Sequence, residues 1–154
     1  MPTLHPTAQR VASRLAAAGL DVTVVEHEES SRTAEEAAAM AGCELGQIVK
    51  SLVFLDDSGP ALVLCAGDRR VDAAALGLRR AKPDVVREAT GFAIGGVPPL
   101  GHPAPIRTLV DASLRRFETV WCAAGTPKAV FEVRTDDLIA ALPKAEVREV
   151  AEAA

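Results

Sequence analysis

The sequence predicts an α+β fold built on a mixed β-sheet, and three observations predict it. The β-rich runs do not alternate strictly with helical ones, as a doubly wound parallel sheet would require. Two of them, Ile48 to Leu55 and Ala61 to Ala66, are separated only by the turn Asp56-Asp57-Ser58-Gly59-Pro60 and read as a hairpin. Hydrophobic residues make up 49% of the 154 residues and aromatics only 3%, so the core consists mainly of Ala, Val, Leu and Ile. That composition suits close packing of helices on a sheet. A chain of this length buries roughly two-thirds of its unfolded surface. No repeat, low-complexity tract or linker composition divides it, so residues 1–154 are read as one domain.

The elements follow in order. A first helix opens near Pro6, carries Ala8, Val11, Ala12, Leu15 and Ala18 on one face, and stops at Gly19. Val22 to Val25 reads as a strand. Thr33-Ala34-Glu35-Glu36 has the T-x-x-E pattern of a capping box, and the Ala-rich helix behind it ends at Gly42. After the hairpin, short helices are expected at Asp72 to Leu78 and Asp84 to Glu88. Gly91 to Pro105 holds four glycines and four prolines in fifteen residues, which excludes regular structure and dictates a stiff, shaped loop. Strands are expected at Ile106 to Val110, Thr119 to Ala123 and Ala129 to Val133, the last two joined by the turn Gly125-Thr126-Pro127. A helix at Thr135 to Leu142 and a short strand at Val147 to Val150 complete the chain.

Net charge and cysteine usage exclude several classes. A formal charge of -4 argues against a protein that coats nucleic-acid backbone, although Gly67 to Arg87 is locally basic, with six basic against three acidic residues. No apolar run reaches the roughly 18 residues of a membrane helix, and no secretory leader pattern opens the chain, so a cytoplasmic protein without a membrane partner is expected. Cys43, Cys65 and Cys122 are widely spaced and form no Cys-x-x-Cys pair; reduced, buried thiols are expected, with no metal and no cofactor.

Two features can carry chemistry. Lys50 interrupts the apolar run of its strand, where lysine is disfavoured unless its ammonium reaches water, a carboxylate or a ligand. Strand alternation puts Lys50 on the face opposite Val49 and Ser51, from which it can reach outward into solvent; the sharper alternative points the ammonium into a cavity that holds an anionic or ester-bearing substrate. The second feature is Gly95-Gly96-Val97-Pro98-Pro99, whose adjacent glycines can present backbone N–H groups to a phosphate or an oxyanion. It matches neither a dinucleotide fingerprint nor a P-loop. His5, His27 and His102 sit in no nucleophile motif, and Asp56-Asp57 reads as a turn instead of a catalytic pair. A cysteine nucleophile with His102 as its base stays open as a minor alternative.

The order of motifs resembles the YbaK/EbsC family, whose fold is shared with the editing insertion domain of bacterial prolyl-tRNA synthetases. The resemblance is carried by Thr33 to Ala38, Gln47 to Phe54, Gly67 to Asp72, Thr90 to His102, Val110-Asp111 and Ala124-Gly125-Thr126-Pro127, and spans nearly the whole chain. It implies a barrel-like mixed sheet flanked by helices. It also implies a trans-acting deacylase that clears a small wrong amino acid from tRNA, most often the tRNA for proline. Lys50 matches the family's strand lysine, and Gly95 to Pro99 matches its glycine-x-x-x-proline loop.

Catalytic roles are therefore expected for Lys50, Gly95 and Gly96, and substrate contacts for Thr33, Val97, Pro99, Asp111, Gly125 and Thr126. The expected partner is the acceptor end of a mischarged tRNA, with an aminoacyl-tRNA synthetase as a second candidate. Such chemistry is consistent with the residues present, because an activated ester needs a placed water and oxyanion donors more than a strong nucleophile. Lys128 departs from the pattern, since related sequences often carry histidine there, and the segment from Val71 to Pro83 is shorter than in many of them. The alternative from another class is a noncatalytic module that holds a tRNA end or a small metabolite in the same pocket.

Overall fold

The computed structural model describes residues 3–143 and 145–153. Its elements in chain order are α1 (Pro6–Ala17), β1 (Val24–Glu26), α2 (Ala34–Ala41), β2 (Val49–Asp56), β3 (Gly59–Ala66), β4 (Arg69–Val71), β5 (Arg79–Arg80), α3 (Pro83–Thr90), β6 (Arg107–Asp111), β7 (Thr119–Ala123), β8 (Ala129–Arg134), α4 (Thr135–Ala141), β9 (Ala145–Arg148) and β10 (Ala151–Ala153). Short 3₁₀ turns stand at Leu45–Gln47 and Ala112–Arg116. The fold is α+β, as the sequence predicts.

A five-stranded sheet runs in the order β5-β2-β3-β6-β9, a three-stranded one in the order β1-β8-β7, and β10 pairs with β4. The large sheet is mixed. β2 and β3 form the expected antiparallel hairpin, with Lys50 opposite Cys65 and Ser51 opposite Leu64, while β3–β6 and β6–β9 are parallel. From Ala61 onward every residue of β3 is buried. Leu62 and Leu64 face the main core with Val11, Leu15 and Phe131, whereas Ala61 and Val63 face a smaller cluster with Leu78, Leu109 and Val150. A strand covered on both faces must be apolar throughout, which is why ALVLCA lacks a polar alternation.

The hairpin edge explains the position of the site. β2 is paired with β3 along its whole length, but on its other edge β5 meets it only at Phe54 and Leu55. At the opposite end, Ile48 forms an isolated parallel bridge with Trp121. Between those two points the large sheet and the three-stranded sheet part, so the sheets lean together without closing into a barrel among the described residues.

Several local expectations are corrected. Asp72 to Leu78 forms successive turns in place of a helix, because Gly77 adopts φ +67 and Leu78 already returns its N–H to the Ala73 carbonyl. One turn has too little helical hydrogen bonding to persist. The last strand is two short ones, β9 and β10, and the interval between them holds Val150, which is buried in the smaller cluster. Gly91 to Pro105 is irregular, as its composition requires.

Candidate functional site

The parting of β2 from β7 opens a cavity of about 240 Å³. Its wall includes Lys50, Ser51 and Leu52 from β2, and Trp121, Cys122 and Ala123 from β7. Ser31 to Ala34 at the start of α2, Ile94, Gly95 and Val97 of the glycine-rich loop, and the turn Thr126-Pro127 complete it. Five residues singled out in the sequence, Lys50, Thr33, Gly95, Val97 and Thr126, therefore meet although they are spread over more than ninety positions.

Lys50 is half-buried, and its ammonium donates a hydrogen bond to the Arg69 carbonyl at the start of β4. An ammonium has three donors, so two remain without a protein acceptor among the described residues. Nor does a carboxylate there lie within ion-pairing distance of it. The charge is thus held in the wall of a cavity without a counter-ion, an arrangement that favours an anionic or strongly polar ligand.

The flanks of the cavity are built to hold still. Thr33 caps α2, its Oγ accepting the Glu36 N–H at 3.1 Å, while the Glu36 carboxylate accepts the N–H of Arg32, one residue before the cap, at 3.1 Å, so the first half of the capping box read from the sequence forms and the reciprocal bond is shifted by one residue. The Thr126 hydroxyl accepts from the N–H groups of Lys128 and Ala129 at 3.3 and 3.2 Å. Gly95 adopts φ +91, a conformation that excludes most side chains. Behind it, the Gly96 N–H is donated to the Ala93 carbonyl at 3.0 Å, while the Gly96 carbonyl accepts the Gly125 N–H at 2.9 Å. The loop is tied further by His102 to the Pro98 carbonyl at 2.8 Å and by Arg14 of α1 to the Gly101 carbonyl.

Four expected site residues do not line the cavity. Gly96 and Gly125 meet just behind it: a Cβ on Gly96 would lie 2.7 Å from the Gly125 oxygen, and one on Gly125 would lie 3.0 Å from Thr7 and Val11 side-chain atoms. The Gly96 N–H, expected as a donor to substrate, is engaged by the Ala93 carbonyl. Among the described residues the amides of Ile94, Gly95 and Val97, the loop residues in the cavity wall, have no protein acceptor. Pro99 lines a neighbouring cavity of about 110 Å³ with His102. Asp111 is buried and caps the 3₁₀ turn Ala112–Arg116, accepting the Ser113 N–H at 3.2 Å. Lys128 is exposed and outside the wall.

The sequence reading missed Ser51 and Trp121 as wall residues. A serine beside Lys50 and a tryptophan within a strand carry no signal until the two strand edges are seen to face each other. A larger cavity, of about 520 Å³ between the end of α1 and α4, contains none of the expected site residues.

The thiols are unsuited to nucleophilic work. Burial pushes Cys65 up to about 11, and burial raises Cys122 and Cys43 as well, with Glu132 and Glu44 adding to the effect at Cys43. His102 borders the neighbouring cavity, where no cysteine stands. Its value is lowered, chiefly by burial. The cysteine–histidine alternative therefore has neither its thiolate nor its base in place.

The profile of the aminoacyl-tRNA editing domain matches residues 28–141. The chain belongs to that family. This editing domain is 36% identical over 122 residues to YwhH of Bacillus subtilis strain 168, itself uncharacterized, covering 75% of this chain and 78% of YwhH. It is 32% identical over 90 residues to a proline–tRNA ligase of Geobacter sp. strain M21, covering 54% of this chain but 16% of the ligase. Among solved structures, a candidate trans-editing enzyme for prolyl tRNA synthetase superposes with a TM-score of 0.90 and 44% identity, covering 97% of this chain and 99% of that one. The editing domain is thus similar to part of a synthetase and, over nearly the full length of both chains, to the trans-editing structure. No described helix is long and apolar enough to cross a membrane.

Proposed function

We propose that this editing domain hydrolyses the ester of mischarged aminoacyl-tRNA in trans, releasing a small amino acid from tRNA for proline. The observation that carries this reading is the Lys50 ammonium, set without a counter-ion in the wall of a cavity shared with Gly95 and Val97. Water attacks the ester carbonyl carbon, the bond from that carbon to the ribose oxygen breaks, and the ribose oxygen leaves with a proton. Charge develops on the carbonyl oxygen during the attack. The Lys50 ammonium and the Gly95 and Val97 N–H groups supply donors for it, and the substrate's own neighbouring ribose hydroxyl helps to hold the water. Ile94, 58% exposed at the cavity rim, and Trp121 offer apolar surface to the terminal nucleoside.

A cavity of about 240 Å³ is smaller than the ~300–1,000 Å³ of pockets for drug-sized ligands. It suits the charged end of a substrate whose remainder lies outside, and the acceptor end is that part of a tRNA.

The test is a panel of mischarged tRNAs incubated with the protein and with Lys50→Ala, following loss of the ester. The protein is expected to clear a small amino acid from tRNA for proline and to leave the prolyl ester intact. Lys50→Ala is expected to lose about 10²- to 10³-fold in rate, the usual effect of removing one oxyanion donor. Full activity in Lys50→Ala overturns the role of the ammonium. Binding of the acceptor end without turnover of any ester establishes instead a noncatalytic module.

A further inference from the structure

The Lys50 ammonium is held by one acceptor, and that acceptor stands on a short strand far from the cavity's other elements in the chain. By alternation Lys50 shares a face of β2 with Phe54, which packs against the smaller cluster together with Val71 of β4 and Ala151 of β10. On that side its Nζ donates to the Arg69 carbonyl. Among the described strands β4 pairs with β10 alone, with Arg69 opposite Ala153, Arg70 opposite Glu152 and Val71 opposite Ala151. The Asp72 N–H donates to the Val150 carbonyl at 3.0 Å. Bonded and non-bonded pairs alternate along an antiparallel ladder, so Arg70 with Glu152 is the next bonded pair and Arg69 with Ala153 is a non-bonded one. The Arg69 carbonyl therefore points away from β10, which leaves it for the lysine. β10 is itself anchored, because Val150, just before it, is 2% exposed within the smaller cluster.

We propose that β10 is a positioning element of the site: its pairing with β4 holds the Arg69 carbonyl in place, and that carbonyl fixes the Lys50 ammonium for the ester. The proposal rests on the deacylase reading, in which the ammonium meets the substrate. A lysine stem is flexible, and a cation that must find its place in every turnover loses part of what a fixed one contributes. The bond to Arg69 occupies one donor and sets the direction of the other two. A neutral acceptor does this without cancelling the charge, as a carboxylate in its place would. The carboxylate next in the chain, Asp68, is occupied by Arg116, which donates to its two oxygens at 2.7 and 3.0 Å. Without β10, Arg70 loses its ladder partner, and no other described strand pairs with β4 to keep the neighbouring carbonyl turned toward β2.

The experiment measures kcat and KM on the mischarged tRNA that the protein clears, in the full chain and in variants at Glu152, an exposed position of β10. Glu152→Pro removes the N–H that pairs with Arg70, whereas Glu152→Ala keeps it. Glu152→Pro is expected to lower kcat about 10-fold with KM little changed, short of the about 10²- to 10³-fold loss expected for Lys50→Ala. Glu152→Ala should match the unaltered protein. Combined with Lys50→Ala, Glu152→Pro should cost no further rate, because no ammonium is left to hold; a merely structural strand would cost the same in both backgrounds. Should Glu152→Pro not fold, Val150→Ala loosens the same anchor more gently and is expected to lower kcat with Lys50 present and not with Lys50→Ala. An unchanged or higher kcat in a folded variant, or equal losses in the two backgrounds, overturns the role of β10 and leaves the deacylase reading intact. Full activity in Lys50→Ala alone, or no turnover of any ester, overturns the parent reading, and this one with it.

Discussion

Cys122 stands in the cavity wall but is almost wholly buried, and that burial holds its thiol protonated. With Cys65 at about 11, the thiolate is a fraction on the order of 10⁻⁴ at neutral pH, and only the thiolate attacks. Treating the native protein with iodoacetamide, which reaches the half-buried Cys43 first, is expected to leave deacylation undiminished. Loss of turnover with the fold intact would return a cysteine to the mechanism. Lys50 was legible at this scale, because a lysine inside IVKSLVFL conflicts with its neighbours and the conflict asks for a ligand. Ser51 was not, since serine fits either face of a strand and only its missing partner distinguishes it. Asp111 shows the converse: a residue within a motif whose side chain is occupied in capping a turn.

The glycine-rich loop acts through its backing at the level of elements. Gly96 packs its backbone directly on the turn at Gly125, with the Gly125 N–H bonded to the Gly96 carbonyl, so the loop and the β7–β8 turn hold each other in position. A methyl group at Gly96 would meet the Gly125 oxygen at 2.7 Å, a distance that backbone atoms cannot relieve by rotation. Gly96→Ala is therefore expected to destabilise the protein by about 1–3 kcal/mol, the range for overpacking, and to lower deacylation as Gly95 and Val97 shift. Urea denaturation alongside the deacylation assay checks this; an unchanged midpoint with full activity would show that the two turns do not depend on each other. The helix cap at Thr33 and the hairpin at Asp56 to Pro60 were readable because each is a local contract between neighbouring residues. The segment Asp72 to Leu78 misled because its alanines favour a helix, while Gly77 and the short span allow only one turn.

Stability across pH is a property of the whole molecule, and buried groups set its limits. His102 binds its proton less readily when folded than its ordinary 6.5, chiefly because it is buried. Its contribution is present above about 6.5 and is lost as pH falls through the lower folded value, because the unfolded chain takes the proton first. Cys65 is shifted in the other direction, from 9.0 to about 11. Its contribution is complete below 9.0 and is lost as pH rises towards 11. Asp68, held down by its hydrogen bond to Arg116, matters only below its ordinary 3.8. A plateau of urea midpoints between about pH 6.5 and 9 is expected, with the acid shoulder moved in His102→Gln. A shoulder that does not move assigns the loss to other groups.

The sequence by itself determined the class of fold, the hairpin, the helix cap, the stiff loop and the two features, Lys50 and the glycine-rich loop, singled out for chemistry. All of these depend on near neighbours in the chain: propensity, alternation, turn chemistry and glycine's freedom. Only the tertiary structure decided that β2 and β7 part where Lys50 stands, which loop amides are unengaged, and that Ser51 has an unanswered hydroxyl. The parting of the strands depends on pairings between residues far apart in the chain, such as Ile48 with Trp121, and even a short-range bond, Gly96 to Ala93 or Ser113 to Asp111, removes a group from the chemistry its motif suggested once the fold sets it in place.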